Sequence, residues 1–201
     1  MFGIKKYSLE SVVSPSSGSM LKQILLLALP VIGSSFMTMA YNFVNMIFVG
    51  RLGSNAVAAV GTASFYMHLS WGLSALLTVG AGIKVSHAIG SRNSQLAKDY
   101  IRSGIWAVVV VAVVYYLFLL VAAKELIGLV RLNNTEIERA ATDFLLIVGL
   151  AIPFSFQNLF FTSVFIGAGD SKSPFRINSI ALATNILLDY LFIFQAGWGI
   201  K

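Results

Sequence analysis

The chain has 201 residues, 57% of them hydrophobic and 11% charged, with a mean hydropathy of +0.83. Soluble domains carry about 25% charged residues, so this composition argues against a water-soluble fold; with no cysteine, it also leaves out disulfides, thiolate metal sites and a Cys nucleophile. The formal net charge of +6 comes from Lys and Arg spread between hydrophobic runs, a pattern that does not suit nucleic acid as a partner.

Residues 1–22 lack the apolar core of a signal peptide and read as a polar cytoplasmic leader. Residues 23–201 hold five stretches of membrane-crossing length, at approximately 24–49, 57–83, 105–123, 144–166 and 177–194. The links are short and rich in turn residues: Gly53, Gly90, Asn133-Asn134, and Gly167 to Asp170 with Pro174 just before the fifth stretch. The sequence therefore predicts an all-α integral membrane protein, a bundle of antiparallel neighbours in the lipid bilayer. Of the 14 Lys and Arg, nine fall on the loops that share a side with the N-terminus and five on the other side. The positive-inside rule then places the N-terminus in the cytoplasm and the chain in the cytoplasmic (inner) membrane.

The first span carries Pro30, then Ser34, Thr38, Tyr41 and Asn45 at spacings that align them on one helical face. Such a stripe suits a cavity wall, although Ser and Thr are also common at contacts between membrane helices. Pro30 can act as a bending point. The second span contains His68, readable as a proton-sensitive group or as a histidine satisfied by a nearby hydroxyl or carbonyl. Residues 93–104 look like an amphipathic interfacial helix. The third span, built on the run Ala107 to Val114, is apolar all round and is expected at the periphery. In the fourth, Pro153 followed by Gln157 and Asn158 suggests a kinked, cavity-lining helix.

The fifth span is the most unusual. Asn178, Asn185 and Asp189 lie on one face of an otherwise apolar run, and Asp189 is the one acidic residue within the five stretches. A carboxylate near mid-membrane costs about 2.5–3.5 kcal/mol on insertion scales and is seldom there without a use.

Three blocks resemble the multidrug and toxic compound extrusion (MATE) transporters: Tyr41 to Gly61 (YNFVNMIFVGRLGSNAVAAVG), Ile166 to Phe175 (IGAGDSKSPF) and Asn185 to Lys201 (NILLDYLFIFQAGWGIK). They sit in the family's order and spacing. The resemblance implies a twelve-helix fold of two six-helix lobes with a substrate cavity between them. This chain would supply most of the N-terminal lobe, as a fragment without its C-terminal lobe. The family's cation-responsive cluster maps onto Asn185 and Asp189, while the acid of its first helix maps onto position 45, where Asn45 stands instead. An amide cannot take up a proton at working pH, so Asp189 is left as the titratable group of the cluster.

The function implied is a cation-coupled antiporter exporting amphipathic organic cations. The cluster offers one carboxylate and two amides, few oxygens for Na⁺, which favours H⁺ as the coupling ion. No other cofactor and no bound metal are expected. Asp189, Asn185 and Asn45 would couple to the cation. Tyr41, Thr38, Ser34, Gln157, Asn158, Asn178 and His68 would line the pathway, with Pro30 and Pro153 as hinges. The alternatives are a lipid-linked saccharide flippase of the same superfamily and a truncated, non-transporting fragment. The former would tend to show basic residues inside its spans, and none is firmly inside one here. The absence of GxSxG, HExxH or a Cys/His set makes an enzyme the weaker reading.

Overall fold

The computed structural model describes residues 17–192. Most of the leader, the last two residues of the fifth predicted span (193–194) and Lys201 lie outside the described residues. Six helices follow one another: α1 Ser17–Arg51, α2 Ser54–Gly90, α3 Ser94–Gly128, α4 Thr135–Gly149, α5 Ile152–Gly167 and α6 Lys172–Tyr190. By length and apolarity α1, α2 and α3 can each cross a membrane, and α4 with α5 can do so as one broken span bent by 50°. The described part of α6 falls short on its own. Its 19 residues include Lys172, Arg176, Asn178, Asn185 and Asp189, and these lower its mean hydropathy.

Local chemistry sets the boundaries. Gly53 (φ 106°) and Gly169 (φ 85°) take left-handed turns that a side chain would strain. The Asn93 carboxamide oxygen accepts from the Leu96 N–H at 3.0 Å. That of Asn134 accepts from Glu136 and Ile137 at 3.0 and 3.3 Å. Each satisfies donors that a helix start leaves unpaired. Asp170 caps α6 in the same way, accepting from the Lys172 and Ser173 N–H groups and from the Ser173 hydroxyl at 2.6 Å. Pro174 therefore sits within the first turn of α6, where its missing N–H costs nothing.

Three sequence expectations are corrected. Residues 93–104 do not form a separate interfacial helix: Asn93 caps a continuous α3, of which they are the first turns. The third span is not peripheral either. Val108, Ala112, Tyr115, Leu119, Ala123 and Ile127 form a buried seam against α2, α4 and α5. The Tyr115 hydroxyl donates to the Tyr66 carbonyl at 2.8 Å, and the Tyr66 hydroxyl donates to the Leu126 carbonyl. A helix apolar on every side carries no polar face to mark which side is buried, and this one is buried along one seam. Finally, the fourth stretch is not one kinked helix but falls on two, the first starting at Thr135, with an interruption between Gly149 and Ile152.

The helices sort into two packed groups. α2 lies against α3, α4 and α5, and these hold the core. Glycines allow the closest approach: a Cβ on Gly167 would lie 2.7 Å from the Gly82 carbonyl oxygen. Beside it, the Ser163 hydroxyl donates to the Thr78 carbonyl at 2.7 Å. α1 instead packs chiefly on α6, with lighter contact to α2. No residue in the most apolar stretch of α1 is fully buried inside this chain, and much of its surface, including Leu29, Ile32 and Phe36, is exposed.

Candidate transport site between α1, α5 and α6

The site grows from the α1–α6 contact. Gly33 admits the Phe175 ring, whose Cε2 would lie 3.0 Å from any Cβ placed there. One turn further along, the Ser179 hydroxyl donates to the Phe175 carbonyl at 2.6 Å and lies 3.1 Å from the Met37 sulfur. This register turns the polar stripes of α1 and α6 towards each other. The half-buried Tyr41 hydroxyl comes within hydrogen-bonding reach of the half-buried Asp189 carboxylate.

Asn45 is half-buried one turn beyond Tyr41, and Asn185 is exposed one turn before Asp189. Among the described residues neither amide hydrogen-bonds the carboxylate; the side-chain group that approaches it is the Tyr41 hydroxyl. The sequence placed Tyr41 in the pathway and the two amides beside the acid; in the structure Tyr41 is the group that reaches it.

About 16 Å along α6 from Asp189, by the rise of 1.5 Å per residue, a cleft of about 500 Å³ opens between α1, α5 and α6. Ser34, Thr38 and Asn178 line it, and so do Ser35, Asn42, Thr162 and Ser171, with Val31, Met39, Ile166 and Pro174 as its apolar wall. The Ser34, Ser35 and Thr38 hydroxyls each donate to the carbonyl four residues back, at 3.0, 3.1 and 2.9 Å. Their protons are thus engaged within α1 and their lone pairs face the cleft. Ser171 is 4% exposed and its hydroxyl has no partner. Among the described residues no charged side chain lines the cleft, and it is rich in acceptors, so it suits a ligand that brings N–H or other donors with an apolar body.

The remaining candidates fall elsewhere. Asn158 donates to the Asn178 side-chain oxygen at a long 3.4 Å, joining α5 to α6 at the cleft edge. Gln157 turns to α3, donating to the Ile105 carbonyl at 3.2 Å. His68 is exposed on the far side of α2 from its buried seam. Its Nδ1 lies 2.7 Å from the Ser64 carbonyl and its ring is tilted against Trp71 at 5.0 Å. Pro30 sits inside an α1 that stays helical through it, whereas Pro153 occupies the first turn of α5 just after the 50° break. Among the described residues no three His, Asp or Glu side chains converge in a way that could hold a metal ion.

Sequence reasoning missed Ser35, Asn42 and Ser171 and left Thr162 unassigned. Asn42 had a signal, because it follows Ser35 by seven residues and Thr38 by four and so shares a face with them. Ser171 had none, since it lies in a connector without periodicity.

The fold and the site define an all-α bundle with membrane-crossing helices and a polar cleft between α1, α5 and α6. The MatE family matches residues 30–191, and the chain belongs to that family. It is 28% identical over 180 residues to a probable multidrug resistance protein NorM of Thermotoga maritima, covering 86% of this chain and 37% of that protein. A probable multidrug resistance protein YoeA of Bacillus subtilis is 27% identical over 178 residues, with the same coverage. The chain therefore spans well under half the length of these relatives. In fold it is similar to a MOP superfamily transporter from Pyrococcus furiosus and to an outward-facing multidrug resistance MATE family transporter. Each is 23% identical with a TM-score of 0.84, over 89% of this chain and 39% and 40% of those chains respectively.

Proposed function

We propose that the chain is the cation-responsive part of an antiporter that exports amphipathic organic cations across the cytoplasmic membrane. H⁺ is the coupling ion, and the N-terminus lies in the cytoplasm. The observation that carries this reading is the pairing of Tyr41 with Asp189 across the α1–α6 contact.

With Asp189 ionised, the Tyr41 hydroxyl donates to a carboxylate, a charge-assisted bond about twice as strong as a neutral one. Proton uptake removes that charge and loosens the tie between the two helices. The equilibrium between two packings of α1 on α6 then depends on the proton. Na⁺, a hard cation, draws on several oxygens. Asp189 and Tyr41 offer few, and Asn185 turns outward. The nearby acceptor-lined cleft would hold the donor groups of an organic cation, so occupancy of one site could bias the other through α6. MATE-type relatives named for multidrug resistance support the direction of transport.

The test is drug efflux from everted vesicles carrying the protein at its natural length, with and without an imposed ΔpH. Asp189→Asn is expected to abolish the ΔpH-driven component. Tyr41→Phe is expected to keep that component but slow it by about ten- to a hundredfold, the equivalent of a lost hydrogen bond to a charged group, about 1.5–3 kcal/mol. Full ΔpH-driven efflux by Asp189→Asn would sink the proposal.

A further inference from the structure

A second cleft, of about 440 Å³, opens between the end of α2 and the start of α3, away from the transport site. Its polar lining is Lys84, His87, Ser91 and Tyr100; Ile83 and Leu96 form part of its apolar wall. Lys84 and His87 are three residues apart and so project from one face of α2. The Lys84 ammonium stands 6.0 Å above the centre of the Tyr100 ring, held at the cleft while still open to a ligand. The Ser91 hydroxyl donates to the Ala88 carbonyl at 3.0 Å, so its oxygen can only accept. Among the described residues no Asp or Glu lines this cleft. Asp99, the acid nearest in sequence, is exposed and accepts a hydrogen bond from Gln95 at 3.1 Å. Arg92, Lys98 and Arg102 are exposed around the same end of the bundle and add to its positive field.

Depth points the same way. α2 has 37 residues, about 55 Å of helix against a hydrocarbon core of about 30 Å, so its last turns stand among headgroups. The apolar run of α3 begins near Ile105, five residues beyond Tyr100. Tyrosine at this level belongs to the aromatic belt of a membrane protein. Ile83 is 53% and Leu96 38% exposed, leaving an apolar surface beside the cations that dissolved phosphate would not need and an acyl chain would cover.

We propose that the cleft between α2 and α3 binds an anionic phospholipid, its headgroup phosphate held by Lys84 and His87 and its chain laid along Ile83 and Leu96. This does not depend on the transport reading; it requires only that this end of the bundle stand at the membrane surface.

The experiment is native mass spectrometry of the full chain in detergent, titrated with phosphatidylglycerol or phosphatidylcholine and challenged with inorganic phosphate. Phosphatidylglycerol is expected to be retained in preference to phosphatidylcholine and not to be displaced by millimolar phosphate. Lys84→Gln should weaken that retention about fivefold, the effect of one basic residue near an anionic surface. Lys84→Arg should retain it, as should Lys124→Gln at the opposite end of α3. Circular dichroism in detergent checks that each variant is folded as the parent is. Equal retention of the two lipids, displacement by free phosphate, an unaffected Lys84→Gln, a Lys84→Arg as weak as Lys84→Gln, or the same loss in Lys124→Gln would each overturn the assignment.

Discussion

Asp170 and Asp189 show how the same carboxylate does different work in two places. Asp170 caps α6 in a connector. Partial burial works against its charge, but the Ser173 hydroxyl, the Ser173 and Lys172 N–H groups and the nearby Arg176 outweigh it and hold the carboxyl below its usual range. A group whose folded-state pKa is depressed stabilises the fold above its unfolded value, and that stabilisation disappears as the pH falls through the folded value. The start of α6 is thus expected to be firm at neutral pH and to loosen only in acid. Asp170→Asn should weaken the start of α6 at pH 7 and make it less sensitive to acid, read as hydrogen exchange of the Lys172 and Ser173 amides at pH 7 and pH 3. Asp189, with Tyr41 as its partner, is instead placed where a change in its charge is felt by two helices. The acid itself was legible in the sequence, since an Asp in an apolar run is conspicuous. Its partner was not: Tyr41 and Asp189 are 148 residues apart, and only the register set by Gly33 against Phe175 brings them together. Gln157 misled for the complementary reason, because periodicity places an amide on a helix face but does not say which neighbour that face meets.

At the scale of elements, the break between α4 and α5 has a local cause. In a continuous helix residue 153 would donate its N–H to the Gly149 carbonyl, but proline has no N–H and its ring crowds that oxygen. The chain instead closes two tighter turns, Leu150 to Ile147 and Ala151 to Val148, at 3.2 and 3.0 Å, and restarts at Ile152. Pro153→Ala is expected to let α4 run into α5 and reduce the 50° bend, measured as a lengthened distance between spin labels on the outer ends of the two helices; an unchanged distance would show that packing on α2 imposes the bend. Pro30 does not interrupt its helix, as α1 stays helical through it. Both prolines read alike in sequence. What separates them is position, since Pro153 falls in the first turn of a new helix and Pro30 well inside α1. The sequence misjudged α3, whose uniform apolarity conceals the seam it presents to the core.

For the whole molecule, the division into an α2–α5 body and an α1–α6 pair predicts two levels of local stability. Amides of α1 and α6 should exchange with deuterium faster than those of the Tyr66, Tyr115 and Phe156 seam, because they are held by fewer buried contacts. Uniform protection across the six helices would contradict that division. The all-α membrane architecture was legible because it needs only length, apolarity and short links; the grouping of helices was not, because it depends on which faces meet. That grouping also bears on how the protein is made. α1 is the first of the described helices to leave the ribosome and α6 the last, and the two meet through residues 142 apart, as at Met37 and Ser179. During synthesis α1 must therefore enter the bilayer with Tyr41 and Asn45 still without the helix they face. Its most apolar stretch, with a mean hydropathy of 1.8, lets it wait there. The α2–α5 body can assemble meanwhile from neighbours in the chain, and α6 closes the site last, when its polar face finds a polar stripe already in place.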